Sequence, residues 1–433
     1  MKQLLVSGVR KALPSGMVGL IEESYRRSRV KAISAKYGNP AKNLRVLAVT
    51  GTNGKTTTAN YLNEILKADG KKTAMFTTAV IEIAENRQLN DLNATVATTE
   101  QMQRFFRDAK KAKVDFVVLE ITSHALHQHK LATVPIEAAI MTNLTQDHLD
   151  YHKTMENYAA AKSKLFSSEP RYVVLNKDDE WFDYFNKFEA GEHKITYGIS
   201  EDSECQIKKV KLFKKGTEVQ LEIDHQTSLS LATNLPGKFN VYNLAAAAAT
   251  AYVVGVNIKS IVEGIANLED IPGRFERIEV KKPYEVIVDY AHTPDALQQL
   301  LEAVKHLTKN RVILVFGATG DRDKLKRPIM GEIAAKGADR IILTDEESYN
   351  EDPETIRKMV LEGIQQVGGD GKTEEISDRK DAIAKALSIA KVGDTVLITG
   401  MGHEVYRIVN GERIPWNDGE VVRELANQKE LPK

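Results

Sequence analysis

The densest chemistry in the sequence lies between Val49 and Thr58, where Val-Thr-Gly-Thr-Asn-Gly-Lys-Thr-Thr-Thr follows an apolar, β-branched run and precedes a helical pattern. A glycine-rich turn in that setting lets successive backbone N–H groups wrap a phosphate, and the helix N-terminus adds partial positive charge. Gly51, Thr52, Asn53, Gly54, Lys55, Thr56 and Thr57 are therefore the expected nucleotide contacts. The Lys55 ammonium would neutralise the β- and γ-phosphates, and the Thr56 hydroxyl would help hold Mg²⁺. The general phosphate-loop pattern has glycine where this chain has Val49, so the match is to a shorter variant.

Three further groups of residues carry chemistry. Glu120 closes an apolar run and is followed by Ile-Thr-Ser-His, while Asn143-Leu-Thr-Gln-Asp-His-Leu-Asp-Tyr-His runs to His152. A strand-end carboxylate beside a phosphate loop suits Mg²⁺, which demands hard oxygen ligands. Zinc is the competing reading, because His124, His127 and His129 cluster, as do His148 and His152; it would need three or four converging N or S ligands, with no cysteine near. Asp289-Tyr-Ala-His-Thr-Pro ends another apolar run, where the Asp could take a ribose hydroxyl or simply brace a turn or helix start. Gly317-Ala-Thr-Gly-Asp-Arg-Asp-Lys follows Val312–Phe316, and Arg322 there could grip a carboxylate through two N–H groups. No G-x-G-x-x-G dinucleotide fingerprint is present.

These residues need a frame that brings strand ends together. Apolar runs recur at Val46–Val49, Phe116–Leu119, Ala138–Met141, Tyr172–Leu175, Val286–Val288, Val312–Phe316, Arg340–Leu343 and Thr395–Ile398, with helical patterns between them, such as Thr56–Ala68, Met102–Lys111 and Asp295–His306. That alternation predicts an α/β fold of parallel sheets covered by crossover helices. Cys205–Leu231 alternates apolar and polar residues and predicts an antiparallel insert; the Ala-rich stretch Asn240–Val254 predicts a buried helix. Pro and Gly at Ile271-Pro272-Gly273 mark a boundary. The expected division is a basic N-terminal region 1–45, a central domain 46–271 and a C-terminal domain 272–433.

Composition narrows the class. A chain of 433 residues suits about two or three domains. Sixty basic and sixty acidic side chains leave no net charge, which argues against nucleic acid as a partner. One cysteine excludes a disulfide framework, and neither a membrane span nor a signal-peptide pattern is seen, so a cytoplasmic protein is expected. Residues 1–45 hold ten basic side chains (Lys2, Arg10, Lys11, Arg26, Arg27, Arg29, Lys31, Lys36, Lys42, Arg45) against Glu22 and Glu23. They read either as a surface for a phosphorylated ligand or anionic membrane, or as a solvated helical face.

Taken in order, the motifs resemble the Mur ligase family of ATP-dependent amide-forming ligases, and within it the branch that adds the third amino acid to a UDP-N-acetylmuramoyl dipeptide. The resemblance runs from Tyr37 to Glu424 through the phosphate loop, Thr98-Thr99, Glu120-Ile-Thr-Ser-His, Asp147-His-Leu-Asp, Ala160-Ala-Lys162, Asn240-Val-Tyr-Asn243, Pro272-Gly-Arg-Phe-Glu, Asp289-Tyr-Ala-His-Thr-Pro, Gly320-Asp-Arg-Asp-Lys and Gly400-Met-Gly-His-Glu404. The resemblance implies that the central domain 46–271 is ATP-binding and the C-terminal domain 272–433 Rossmann-like. It implies catalytic roles for Lys55, Glu120, His148 and Lys162, with Thr56, Glu120, His148 and a carbamylated Lys162 serving Mg²⁺. It adds Asn243, Arg274 and Asp289 to the ATP contacts and gives Thr98, Thr99, Ser123, Gln128 and Lys130 to the acceptor's dipeptide end. Arg322, Gly400 and Glu404 fall to the incoming amino acid. The implied reaction activates a peptide carboxylate as an acyl phosphate, releases ADP, then joins it to an amine, in peptidoglycan precursor synthesis by a monomeric enzyme acting on small molecules.

Two departures stand out. The phosphate loop comes roughly half as far into the chain as the family pattern has it, so the UDP-binding region is shortened or the acceptor differs. Family members that add diaminopimelate carry Asp-Asn-Pro-Arg, where this chain has Glu346, Glu347, Ser348 and Tyr349. Exchanging a carboxylate-clamping Arg for acids favours a cationic, lysine-like amino acid, unless the acids only form a solvated loop. A ligase on another acceptor, of the folylpolyglutamate synthase kind or taking a nucleotide-free peptide, is the alternative, as is a non-catalytic ATP-binding subunit.

Overall fold

The computed structural model describes residues 15–92 and 97–427, the side chains of 15–20 excepted. Two sheets follow one another in the chain. The first has eleven strands, in the order Thr227–Thr233, Gly216–Ile223, Cys205–Phe213, His193–Gly198, Tyr172–Asn176, Ile136–Met141, Arg45–Thr50, Phe116–Glu120, Thr73–Phe76, Val80–Ile83, Asn86–Leu89. Its middle is parallel, and both ends turn antiparallel. The expected insert is thus a three-stranded antiparallel extension of one sheet edge.

Both faces of the parallel strands are covered, which is why their sequences read as unbroken apolar runs. Leu47 and Val49 pack on one side with Tyr61, Leu62 and Ile65 of the helix Lys55–Ala68 and the Ala-rich helix Lys238–Val253. Val46 and Ala48 pack on the other with Phe105 and Phe106 of the helix Thr99–Lys111 and Tyr158 of the helix Met155–Ser163. The second sheet has six strands, in the order Glu276–Ile278, Glu285–Asp289, Thr395–Thr399, Val312–Phe316, Arg340–Leu343, Thr373–Glu375, parallel except for the first. It too is buried on both faces, Leu314 and Phe316 on one and Ile313 and Val315 on the other.

Sequence pattern missed the short or polar strands Thr73–Phe76, Asn86–Leu89, His193–Gly198 and Thr373–Glu375, whose composition carries little periodicity. Of the basic residues of 1–45, Lys2, Arg10 and Lys11 lie outside the described residues. The helix Ser15–Lys36 docks through Val30 and Ser34, leaving Arg27, Arg29, Lys31 and Lys36 exposed, so a solvated helical face is the geometry present. Among the described residues no helix is long and apolar enough to cross a membrane.

Candidate active site

The strand Arg45–Thr50 ends at the sheet's middle and passes directly into the glycine turn. Gly54 has φ +81°, a region side chains disfavour, and a Cβ on it would strike the side chain of Asn243. The loop is fixed from below: Thr52 N donates to Asn143 O at 2.9 Å, and Asn53 N to Asn143 Oδ1 at 2.9 Å. Lys55 curls back to donate to Thr52 O at 2.7 Å. These residues wall a cavity of about 910 Å³ between the two sheets' C-terminal edges, which Asn243, Arg274 and Asp289 also line.

Glu120 closes the neighbouring strand. Its Oε2 accepts from Thr56 Oγ1 at 2.8 Å and from Thr78 N at 3.0 Å. Hydroxyl and carboxylate oxygens adjacent at a phosphate loop are the hard donors that suit Mg²⁺. Lys162, only 1% exposed, reaches the same cavity and donates to Gly51 O at 2.6 Å. Among the described residues no carboxylate lies within ion-pair distance of it, and burial, with Lys55 adding repulsion, holds its pKa well below the usual lysine value. An amine that gives up its proton more readily than an ordinary lysine fits conversion to an anionic oxygen ligand by CO₂.

The other histidines do not converge on a point. His152 Nε2 pairs with Ser123 Oγ at 2.9 Å, His127 Nδ1 with Tyr151 OH at 2.8 Å, and His129 Nε2 with Glu23 Oε1 at 3.0 Å. Burial pulls His124 to about 4 and His152 to about 3, so both are neutral. Among the described residues no group of three or more His, Cys, Asp or Glu is arranged to hold a metal.

Asp289 was open between ribose binding and a structural brace. Oδ2 accepts from Phe275 N and Oδ1 from Ala291 N, both at 2.7 Å, so the brace is present; the carboxylate still lines the cavity. Of the expected acceptor residues, Ser123 lines the large cavity, while Lys130 lies in a small pocket with Ala97, Met102 and Glu120 and donates to Ala97 O at 2.6 Å. Thr98 is occupied in a capping box with Gln101, and Gln128 caps the helix Ser123–His127 through its backbone.

A second pocket, about 70 Å³, opens beside the first. It gathers Arg322, Glu346, Glu347, Tyr349, Gly400 and Glu404, all six expected residues. The solvated-loop alternative fails here: Glu346 and Glu347 are 4% and 9% exposed. Glu346 accepts from Gly317 N at 3.2 Å and Thr319 Oγ1 at 3.3 Å; Glu347 accepts from Tyr349 OH at 3.1 Å and Ile408 N at 3.2 Å. Arg322 stacks on the Tyr349 ring at 4.8 Å and donates to its hydroxyl at 3.2 Å. Burial, then Glu347, pushes Glu404 up to about 8. Thr78, Asp147, His148, Tyr290 and His292 wall both cavities, so the two meet.

Sequence reasoning passed over Lys326 and Thr78. Lys326 is 3% exposed and pairs with Asp147 at 3.2 Å across the cleft; charged residues opening an otherwise buried helix at Lys326-Arg327 were its only signal. Thr78 had none.

The Mur ligase middle domain family matches residues 49–251, and the Mur ligase glutamate ligase domain family matches 273–402. A UDP-N-acetylmuramoyl-L-alanyl-D-glutamate–2,6-diaminopimelate ligase of Syntrophomonas wolfei is 38% identical over 420 residues, 96% of this chain and 85% of that protein. A solved structure of a ligase with the same description superposes with a TM-score of 0.62 at 35% identity, covering 93% of this chain and 82% of the other. A Mycobacterium tuberculosis folylpolyglutamate synthase gives 0.70 at 18% identity, over 93% and 96%, and shares the fold.

Proposed function

The chain belongs to the Mur ligase family, and from that premise we propose that it adds a cationic, lysine-like amino acid to a UDP-N-acetylmuramoyl-L-alanyl-D-glutamate type of acceptor. It is an ATP-dependent ligase of the MurE type. The observation that carries the reading is the shared wall: a nucleotide-sized cavity and a small charged pocket meet at Asp147, His148 and Tyr290. That is what a two-step ligation needs, since the acyl phosphate made on one side must meet an amine arriving from the other.

In this reading residues 46–271 form the ATP-binding part and 272–433 the part that closes over it. The acceptor carboxylate attacks the γ-phosphorus of ATP; the acyl–oxygen–phosphorus bond forms and ADP leaves. Lys55 and the N–H groups of Gly51–Thr57 meet the phosphate charge, with Asn243, Arg274 and Asp289 around the nucleotide. The amine, deprotonated, then attacks the carbonyl carbon, and phosphate leaves from the tetrahedral intermediate. Thr56, Glu120, His148 and an N-carboxylated Lys162 would hold Mg²⁺, which would supply charge neutralisation for the phosphoryl transfer. Thr98, Thr99, Ser123, Gln128 and Lys130 take the dipeptide end. Contacts that seal the cleft, such as Asn53 Nδ2 to Asp295 Oδ2 at 2.7 Å and Lys326 to Asp147, keep water from the acyl phosphate.

Glu347 and Glu404 favour an ammonium; of the pocket's cations, the Arg322 guanidinium is stacked on Tyr349 and Lys326 is paired with Asp147. The relatives' diaminopimelate is the second reading, favoured by their descriptions and by Arg322 as a carboxylate partner. Phosphate release should be measured with this acceptor, ATP and a panel of L-lysine, L-ornithine and meso-diaminopimelate. Lysine giving kcat/KM at least roughly tenfold above diaminopimelate, a difference of about 1.4 kcal/mol, is the expected result; the reverse order would replace it with the second reading.

A further inference from the structure

Three motifs that lie far apart in the sequence fold onto one side chain. Tyr290 N donates to Gly273 O at 2.9 Å. Gly402, with φ +51°, passes so near that a Cβ there would lie 2.8 Å from that of Tyr290. A Cβ on Gly273 would in turn strike Gly402 and His403. Gly273 and Gly402 therefore let three backbone segments close on the Cα and Cβ of Tyr290, a demand no other residue type would meet.

The ring and the hydroxyl face different sites. The Arg274 guanidinium lies over the ring with Cζ 4.4 Å from the centroid, and Arg274 donates to Thr56 Oγ1 of the phosphate loop at 3.1 Å. His292 and His403 hold the ring, at 4.6 and 4.9 Å between centroids. The hydroxyl donates to Glu404 Oε1 at 3.2 Å, in the small pocket. A guanidinium on an aromatic face is fixed by the ring's quadrupole, whereas a carboxylate is fixed by a donor. One residue thus holds a group at each end of the reaction.

We propose that Tyr290 is a positioning residue for both half-sites: its ring steadies Arg274 at the nucleotide, and its hydroxyl aims Glu404 at the ammonium of the incoming amino acid. The proposal rests on the reading of the small pocket as the amino-acid site. Glu404, crowded by Glu347, would otherwise turn from its like-charged neighbour, and the phenol's hydrogen bond holds it in place.

Steady-state kinetics on the full chain separate the two roles, with the better of L-lysine and meso-diaminopimelate as amine. Tyr290→Phe keeps the ring and removes only the donor. It should raise the amino-acid KM roughly tenfold and leave the ATP KM within about twofold. Tyr290→Leu should raise both. If Glu404→Gln raises the amino-acid KM and Tyr290→Phe does not, the hydroxyl role is wrong. If Tyr290→Leu leaves the ATP KM unchanged, the ring role is wrong. If Glu404→Gln leaves the amino-acid KM unchanged, the pocket reading itself falls, and the Glu404 part of the proposal with it.

Discussion

A carboxyl group packed against another resists ionisation, and Glu404 shows this beside Glu347, with burial the larger cause and about 8 the result. Because the folded value is raised, the carboxylate is mostly protonated near neutral pH and mostly ionised above pH 9. Affinity for an ammonium should therefore rise as pH rises through that range. The amino-acid KM is expected to fall roughly tenfold between pH 7 and pH 9, and Glu404→Gln should flatten the slope. A KM that stays level in the unmodified protein would contradict the assignment. At this scale the sequence was most legible where a residue type has one plausible use, as with Lys55 and Thr56 in a glycine turn. It was least legible where burial decides. Lys162 passes for a surface lysine until its 1% exposure is seen, and Asp289 cannot be told from a turn residue until both oxygens are found on backbone N–H groups.

Elements carry those residues, and the helix Lys55–Ala68 matters most because its first residue is the phosphate-loop lysine. It is pressed against the helix Ile258–Asn267 at Gly264, where an added Cβ would strike the backbone of Ile65. Gly264→Val should cost about 1–3 kcal/mol through overpacking and tilt the loop-bearing helix. Denaturant unfolding and nucleotide binding would both register it, as a lower midpoint and a weaker Kd. An unchanged midpoint would show that the helices have slack there. The apolar strands were readable because burial on two faces leaves a continuous signal. The edge strand Asn86–Leu89, whose four residues are all exposed, has no such signal, and only its pairing with Val80–Ile83 defines it. The acidic segment Glu346–Tyr349 was legible as chemistry but not as position. Tyr349 has φ +52°, and that left-handed turn brings its hydroxyl back to Glu347.

At the scale of the molecule the two large sheets close on one cleft, with polar contacts made across it. Thr293 Oγ1 and Asp295 Oδ2 both meet the Asn53 side chain, Arg274 meets Thr56, and Lys326 meets Asp147. Alternating strands and helices foretold the layers, but periodicity within one strand says nothing about a partner two hundred residues away, so the pairing across the cleft was invisible until the fold was in hand. The central claim concerns what that closed cleft does: it couples ATP cleavage to one new amide bond. Mass spectrometry of a reaction holding ATP, Mg²⁺, bicarbonate, UDP-N-acetylmuramoyl-L-alanyl-D-glutamate and L-lysine or meso-diaminopimelate tests this directly. One ADP for each molecule of acceptor joined to the amino acid with loss of water is the predicted outcome; ADP without the conjugate, or neither product, would contradict it.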